Sequence, residues 1–195
     1  FYGIIISISV LICVICGKKM TTMKQDWKPG TMIYPLPAVM VSVTDGEGHD
    51  NIITVAWTGT VCTNPAMAYI SVRPSRYSYD MIRKTGEFVI NLTTEKLAFA
   101  ADFCGVRSGR DVDKFQKLGL TPVEAEKISV PAIRELPLTL ECKVVYKQEQ
   151  DPDQISEKRK KIFYPADVDG SFHGANRDYH TAYYGQILSA YILED

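Results

Sequence analysis

Asn51-Ile-Ile-Thr-Val-Ala-Trp-Thr-Gly-Thr60 and Thr63-Asn64-Pro65-Ala-Met-Ala-Tyr-Ile-Ser-Val-Arg73 are two apolar, β-branched runs of strand length on either side of an Asn-Pro turn. Such runs, with small hydroxyl and amide residues interleaved along the first, predict a hairpin with one apolar and one polar face. On the polar face Thr54, Thr58, Thr60 and Ser71 carry short side chains that let a ligand approach the backbone, and Arg73 and Arg76 follow where a phosphate needs a counter-charge. A phosphorylated, planar cofactor suits such a face. The same threonines also suit a plain strand with solvent-facing hydroxyls, and these residues by themselves leave both readings open.

Outward from this stretch, further strands are expected. Ala38-Val-Met-Val-Ser-Val-Thr44 precedes it, separated by Asp45-Gly46-Glu47-Gly48, a turn rich in residues that tolerate positive φ. After it, Ser78 is placed to cap a helix over Tyr79–Lys84 that Gly86 stops, and a phosphate beside that helix start would meet free N–H groups as well as Arg73 or Arg76. Glu87–Leu92 reads as a buried strand whose amide, Asn91, either ties down a loop or contacts a ligand. A helical stretch is expected over Thr94–Phe103, a basic, glycine-bearing loop over Cys104–Arg110, and a short helix over Asp111–Leu118 closed by Gly119. Alternation from Leu138 onward predicts a long half-buried strand with Thr139, Glu141 and Lys143 on its outer face. Residues 148–161 read as an exposed insertion or short helix, and Tyr183–Leu193 as the last strand. Strands dominate with a few short helices between them, which points to a closed or partly closed antiparallel barrel.

The chain of 195 residues is sized for one well-cored domain. A formal net charge of -1 argues against a nucleic-acid partner, which calls for an excess of Lys and Arg. Cys13 and Cys16 make a lone Cys-x-x-Cys inside an apolar run with no second pair, and the three histidines share no ligand spacing, so no metal is expected, and Cys62, Cys104 and Cys142 read as reduced thiols of a cytoplasmic protein. Residues 1–22 stand apart as an apolar leader: a truncated anchor, upstream or vector sequence, or an added strand, with residues 23–195 as the domain. A membrane enters only if that leader is native.

Pro35-Leu-Pro37, Asn51 to Thr58, Asn64-Pro65, Ser71-Val-Arg-Pro-Ser-Arg-Tyr-Ser78, Gly86 to Leu92, Cys104-Gly-Val-Arg-Ser-Gly109 with Asp113-Lys-Phe115, and Leu140-Glu-Cys142 follow one another in an order that resembles the flavin reductase-like family, whose members include flavoredoxin. The resemblance implies a mainly β fold with short helices, a Greek-key split β-barrel of the FMN-binding type. It also implies a homodimer and an FMN groove near the subunit interface. Carried across, Asn51, Thr54, Val55, Ala56, Trp57 and Thr58 would line the flavin ring and ribityl chain. Ser71, Val72, Arg73, Tyr77 and Ser78 would surround the phosphate together with Arg76, Asn91 would support the site, and Lys114 would add a charge. Trp57 either stacks on the ring or belongs to the core. No catalytic residue stands out, and His180 is offered as a group on the nicotinamide side. The activities implied are reduction of FMN by NADH or NADPH, with a monooxygenase as partner, or electron carriage between redox proteins without a nicotinamide. A split-barrel protein for another ligand is the third possibility.

Overall fold

In a computed structural model, residues 37–166, 168 and 176–193 are described, and the readings made on residues 1–36 lie outside them. Seven strands form one antiparallel sheet: β1 (Val39–Thr44), β2 (Asp50–Val55), β3 (Thr58–Thr63), β4 (Ala66–Val72), β5 (Glu87–Leu92), β8 (Thr139–Glu149) and β9 (Thr181–Tyr191). Their order across the sheet is β2-β1-β5-β8-β9-β4-β3. The short pair β6 (Pro122–Val123) and β7 (Ala132–Ile133) forms a second ribbon. Helices α1 (Tyr77–Thr85), α2 (Ala98–Val106), α3 (Lys114–Leu118) and α4 (Glu157–Phe163) lie between strands. All of this belongs to the unit Pro35–Asp195.

The first and last strands of the sheet, β2 and β3, are neighbours in the chain, joined only through Ala56 and Trp57. With consecutive Cα atoms about 3.8 Å apart, so short a link forces the two sheet edges together, and the sheet must curl into a barrel. The stretch read as one strand is thus two. Asn51–Val55 pairs with β1, Val55 opposite Val39, while Thr58–Thr63 pairs with β4, Thr58 opposite Ile70. The predicted hairpin therefore involves only the second half of the stretch, and it turns at Asn64-Pro65, whose peptide bond is cis.

Every residue of β1 is buried, because both of its faces are covered. Val39, Val41 and Val43 join Ile70, Phe88, Ile90 and Tyr183 inside the barrel, where Met81 and Ile82 of α1 pack against them. Met40 points the other way, into a cluster with Ile52, Ala100, Ala101, Cys104, Phe115 and Ile133 under α2 and α3. That second cluster fixes α2 and α3 against the outer face of β2.

Several local expectations need correction. Ser78 does not cap α1: the cap position is Arg76, with no side-chain cap bond, and Ser78 is buried in the first turn. Helix α2 runs on to Val106, and α3 starts only at Lys114, capped by Asp113 accepting from the Gln116 N–H. The strand β8 is not half-buried along its first part, since Thr139 and Glu141 are fully buried as well as Cys142. Glu141 is inside because its carboxylate accepts the N–H groups of Glu126 and Lys127, each at 2.8 Å. Residues 148–161 hold the end of β8, a 3-10 turn and most of α4. The stops at Gly86 and Gly119 are as predicted, with φ of 68° and 65°.

Candidate functional site

Along the edge strand β2 and the link that follows it runs a groove made of two cavities that share Ile53, Arg76 and Gly105. The first, about 390 Å³, lies between α1, the start of β2 and the loop after α2. The second, about 460 Å³, lies over the end of β2 and the Ala56-Trp57 link, facing Ser71, Val72 and Arg73 from β4.

The first cavity is strongly cationic. Arg76, Arg107, Arg110 and Lys114 line it against one carboxylate, Asp111. Arg110 is fixed by donating to the Ser75 carbonyl at 3.1 Å and by lying over the Tyr77 ring, 5.5 Å from its centroid. The uncapped start of α1 adds backbone N–H groups, and the helix dipole favours an anion there. Lys114 is 3% exposed, yet among the described residues its Nζ meets only the carbonyls of Ile52, at 2.6 Å, and Cys104, at 3.0 Å. Burial pulls its pKa down to about 8. An ammonium with a third N–H and no buried acid beside it suits a phosphate.

The loop over this cavity can pack so closely because of Gly109. A Cβ there would lie 2.4 Å from Asn51 Oδ1 and 2.5 Å from the Tyr77 ring. Asn51 cannot easily give way, since its Nδ2 donates to the Ser78 hydroxyl at 2.8 Å.

The second cavity has a different character. Ile53, Val55, Ala56 and Val72 give it apolar walls, and Trp57, 54% exposed, stands at its rim. Trp57 is therefore no core residue. The Thr54 hydroxyl is turned to the Ala101 carbonyl of α2. On the far side Arg73 Nε donates to His180 Nε2 at 3.2 Å. His180 Nδ1 lies 3.2 Å from the Tyr164 hydroxyl, which donates to Gln150 Oε1 at 2.7 Å. Burial and then the charge of Arg73 hold the His180 pKa below its ordinary value.

The groove thus brings together Asn51, Arg76, Tyr77, Ser78 and Lys114 in one cavity and Thr54, Val55, Ala56, Trp57, Ser71, Val72, Arg73 and Arg76 in the other. Ser71, Val72 and Arg73 stand with the strand residues, apart from the cationic cluster. Three expected residues line neither cavity: Thr60, exposed on β3, Thr58 and Asn91. Thr58 spends its hydroxyl on the Tyr69 carbonyl at 2.7 Å. Asn91 is fully buried and donates to the Met40 carbonyl and the Ser42 hydroxyl while accepting from the Ile133 N–H. It ties β7 to the sheet, the first of the two roles left open for it. Missing from the expected set are Gly105, Arg107, Ser108, Gly109 and Arg110, although their basic, glycine-bearing pattern was visible in the sequence.

Among the described residues no group of His, Cys, Asp and Glu could hold a metal ion, and no helix is long and apolar enough to cross a membrane.

A curled antiparallel sheet with helices over one edge and a cationic groove beside that edge strand is the architecture of a split barrel. A family model described as the flavin reductase like domain matches residues 31–195, and the chain belongs to that family. A curated relative from Archaeoglobus fulgidus, an uncharacterized protein, is 34% identical over 113 residues, 58% of this chain and 63% of its own. The match thus spans less than two thirds of that relative's length. Among solved structures, flavoredoxin of Desulfovibrio vulgaris (Miyazaki F) is similar, with 27% identity and a TM-score of 0.67 over 87% of this chain and 76% of its own. A putative flavin reductase with a split barrel domain from Shewanella frigidimarina has a TM-score of 0.63 at 21% identity, over 82% of this chain and 68% of its own, and supports the fold.

Proposed function

We propose that the groove binds FMN and that the chain is an NAD(P)H-dependent flavin reductase. The observation that carries this reading is the division of the groove into a cationic cavity beside a helix start and an apolar, strand-walled cavity, joined at Gly105. A flavin nucleotide has the same division, a phosphate at one end and a flat ring at the other.

In this reading Arg76, Arg107, Arg110, Lys114 and the first turn of α1 hold the phosphate, and Gly109 lets the loop close on it. The backbone of Val55 to Trp57 faces the polar edge of the ring, and the exposed Trp57 indole covers the rim and limits water. Bound there, FMN supplies hydride- and electron-accepting chemistry, while the protein supplies orientation and hydrogen bonds. Work as a homodimer in the cytoplasm, with a monooxygenase as partner for the reduced flavin, belongs to the same proposal.

The 27% identity to a flavoredoxin favours a second reading, an electron carrier that exchanges electrons with redox proteins and no nicotinamide. One experiment separates the two: anaerobic titration of the FMN-reconstituted protein with NADH and then NADPH, following the flavin absorbance. Prompt bleaching supports the reductase. Bound flavin that only dithionite reduces leaves the carrier, and a protein that takes up no FMN refutes both.

A further inference from the structure

Arg73 stands apart from the four cations of the first cavity and is held rigidly in the second. Its Nε is engaged by His180, and its guanidinium carbon lies 5.7 Å from the centroid of the Tyr164 ring. Its Nη1 is 4.0 Å from Asp178 Oδ2, too long for a hydrogen bond. Both Asp178 oxygens are already taken by Ser75, one by its N–H and one by its hydroxyl. Nη1 is enclosed and has no acceptor among the described residues, so the guanidinium charge is incompletely met within the protein. The side chain as a whole is 21% exposed and lines the second cavity, so an acceptor arriving with a ligand meets its exposed edge there.

His180 fixes Arg73 without neutralising it. Because Nε2 accepts from Arg73, the ring proton sits on Nδ1 and points at the Tyr164 oxygen, whose own proton goes to Gln150. The imidazole is thus a neutral clamp. On its other side a further cavity of about 390 Å³ begins at Ser71 and His180 and is lined by Gln148, Gln150 and Gln154, but also by Glu149 and Asp151. Amides there suit hydroxyl groups, and the two carboxylates repel an anion.

We propose that Arg73 is the recognition point for the anionic part of a second substrate, taking a pyrophosphate oxygen of the reduced nicotinamide nucleotide rather than the phosphate of FMN. The hydroxyl-bearing remainder of the nucleotide extends past His180 into the amide-lined cavity. Asp178 and His180 act as positioning residues that keep the guanidinium aimed into the groove. This rests on the FMN reading above.

The test uses FMN-loaded wild type, Arg73→Met, Arg73→Lys and Arg76→Met. FMN affinity is measured by fluorescence quenching, and reduction by NADH and NADPH is followed by anaerobic rapid mixing over a range of concentrations. For Arg73→Met the expected result is an FMN Kd within about threefold of wild type, about tenfold or more rise in the half-saturating nucleotide concentration, and a limiting rate little changed. Arg73→Lys recovers part of the loss, and inorganic pyrophosphate competes with the nucleotide in wild type but not in Arg73→Met. The proposal is overturned if Arg73→Met loses FMN as severely as Arg76→Met or if half-saturation does not move. A wild type that binds no FMN, or whose bound FMN neither nucleotide reduces, would refute the underlying reading instead.

Discussion

Lys114 reaches from the first residue of α3 to the backbone of β2, where its Nζ donates to the Ile52 carbonyl at 2.6 Å with no carboxylate of the described residues paired to it. Its charge is buried at a cost that shows as a pKa lowered to about 8 from 10.5. Above pH 8 the folded state gives up this proton while the unfolded state keeps it until its own pKa, so the unfolded state binds more protons and stability rises with pH across that window. A depression of this size corresponds to about 3 kcal/mol. The buried Cys104 and Cys142 thiols, pushed up to about 11 and about 12, pull stability down above about pH 9, so Lys114 shows in the difference between two profiles: urea unfolding of ligand-free wild type and Lys114→Met between pH 7.5 and 10 should show the wild-type midpoint climbing relative to the variant's. A difference that does not change with pH would mean that Lys114 keeps its ordinary pKa.

An anion in the first cavity reverses that balance, because a phosphate next to Lys114 restores its proton. Binding of FMN at pH 8 to 9 should therefore take up a proton, detected as a buffer-dependent heat in calorimetry. Riboflavin, which lacks the phosphate, should show no such uptake.

Arg76 lies where the two cavities meet. Loss of a charge-assisted hydrogen bond to phosphate costs about 1.5–3 kcal/mol, so Arg76→Met should weaken FMN binding by about tenfold to a hundredfold. Riboflavin binding should change little, and added salt should weaken the wild type more than the variant. Equal losses for both flavins would place Arg76 at the ring.

Gly109 has no room for a methyl group against Asn51 and Tyr77. Gly109→Ala should lift the loop, costing about 1–3 kcal/mol of stability and lowering FMN affinity at the same time. Fluorescence titration and thermal unfolding of one preparation check both.

Asn91→Leu separates support of the fold from support of the ligand. Stripping the buried partners Met40, Ser42 and Ile133 of its amide should cost about 1–3 kcal/mol, leaving the FMN Kd of the folded fraction unchanged. A selective loss of FMN affinity would restore Asn91 to the site.

Much of this molecule is legible in its residues, and the exceptions share a cause. The strands β1, β5 and β9, the turn at Asp45–Gly48 and the helix stops at Gly86 and Gly119 follow from local pattern and φ preference. The break of the central stretch at Ala56-Trp57 does not, because both halves have strand composition and only the pairing of β2 with β1 and of β3 with β4 divides them. Thr58 and Thr54 are alike in sequence, yet each hydroxyl is claimed by a different carbonyl that the tertiary fold delivers. Glu141 alternates as an outer-face residue and is buried because residues 126 and 127 fold over it. Arg73 and His180 meet across 107 positions of chain, a separation that no local pattern encodes.

The two-residue link between β2 and β3 has a consequence beyond shape. Every other strand junction of the main sheet is zipped by paired backbone groups, whereas this one is closed by the covalent chain alone. The opening is a product of connectivity, and side chains only furnish it. A ligand seated there bridges β2 and the end of β4 and acts as a missing stave, so binding should slow amide exchange in both together, although among the described residues no ladder joins them.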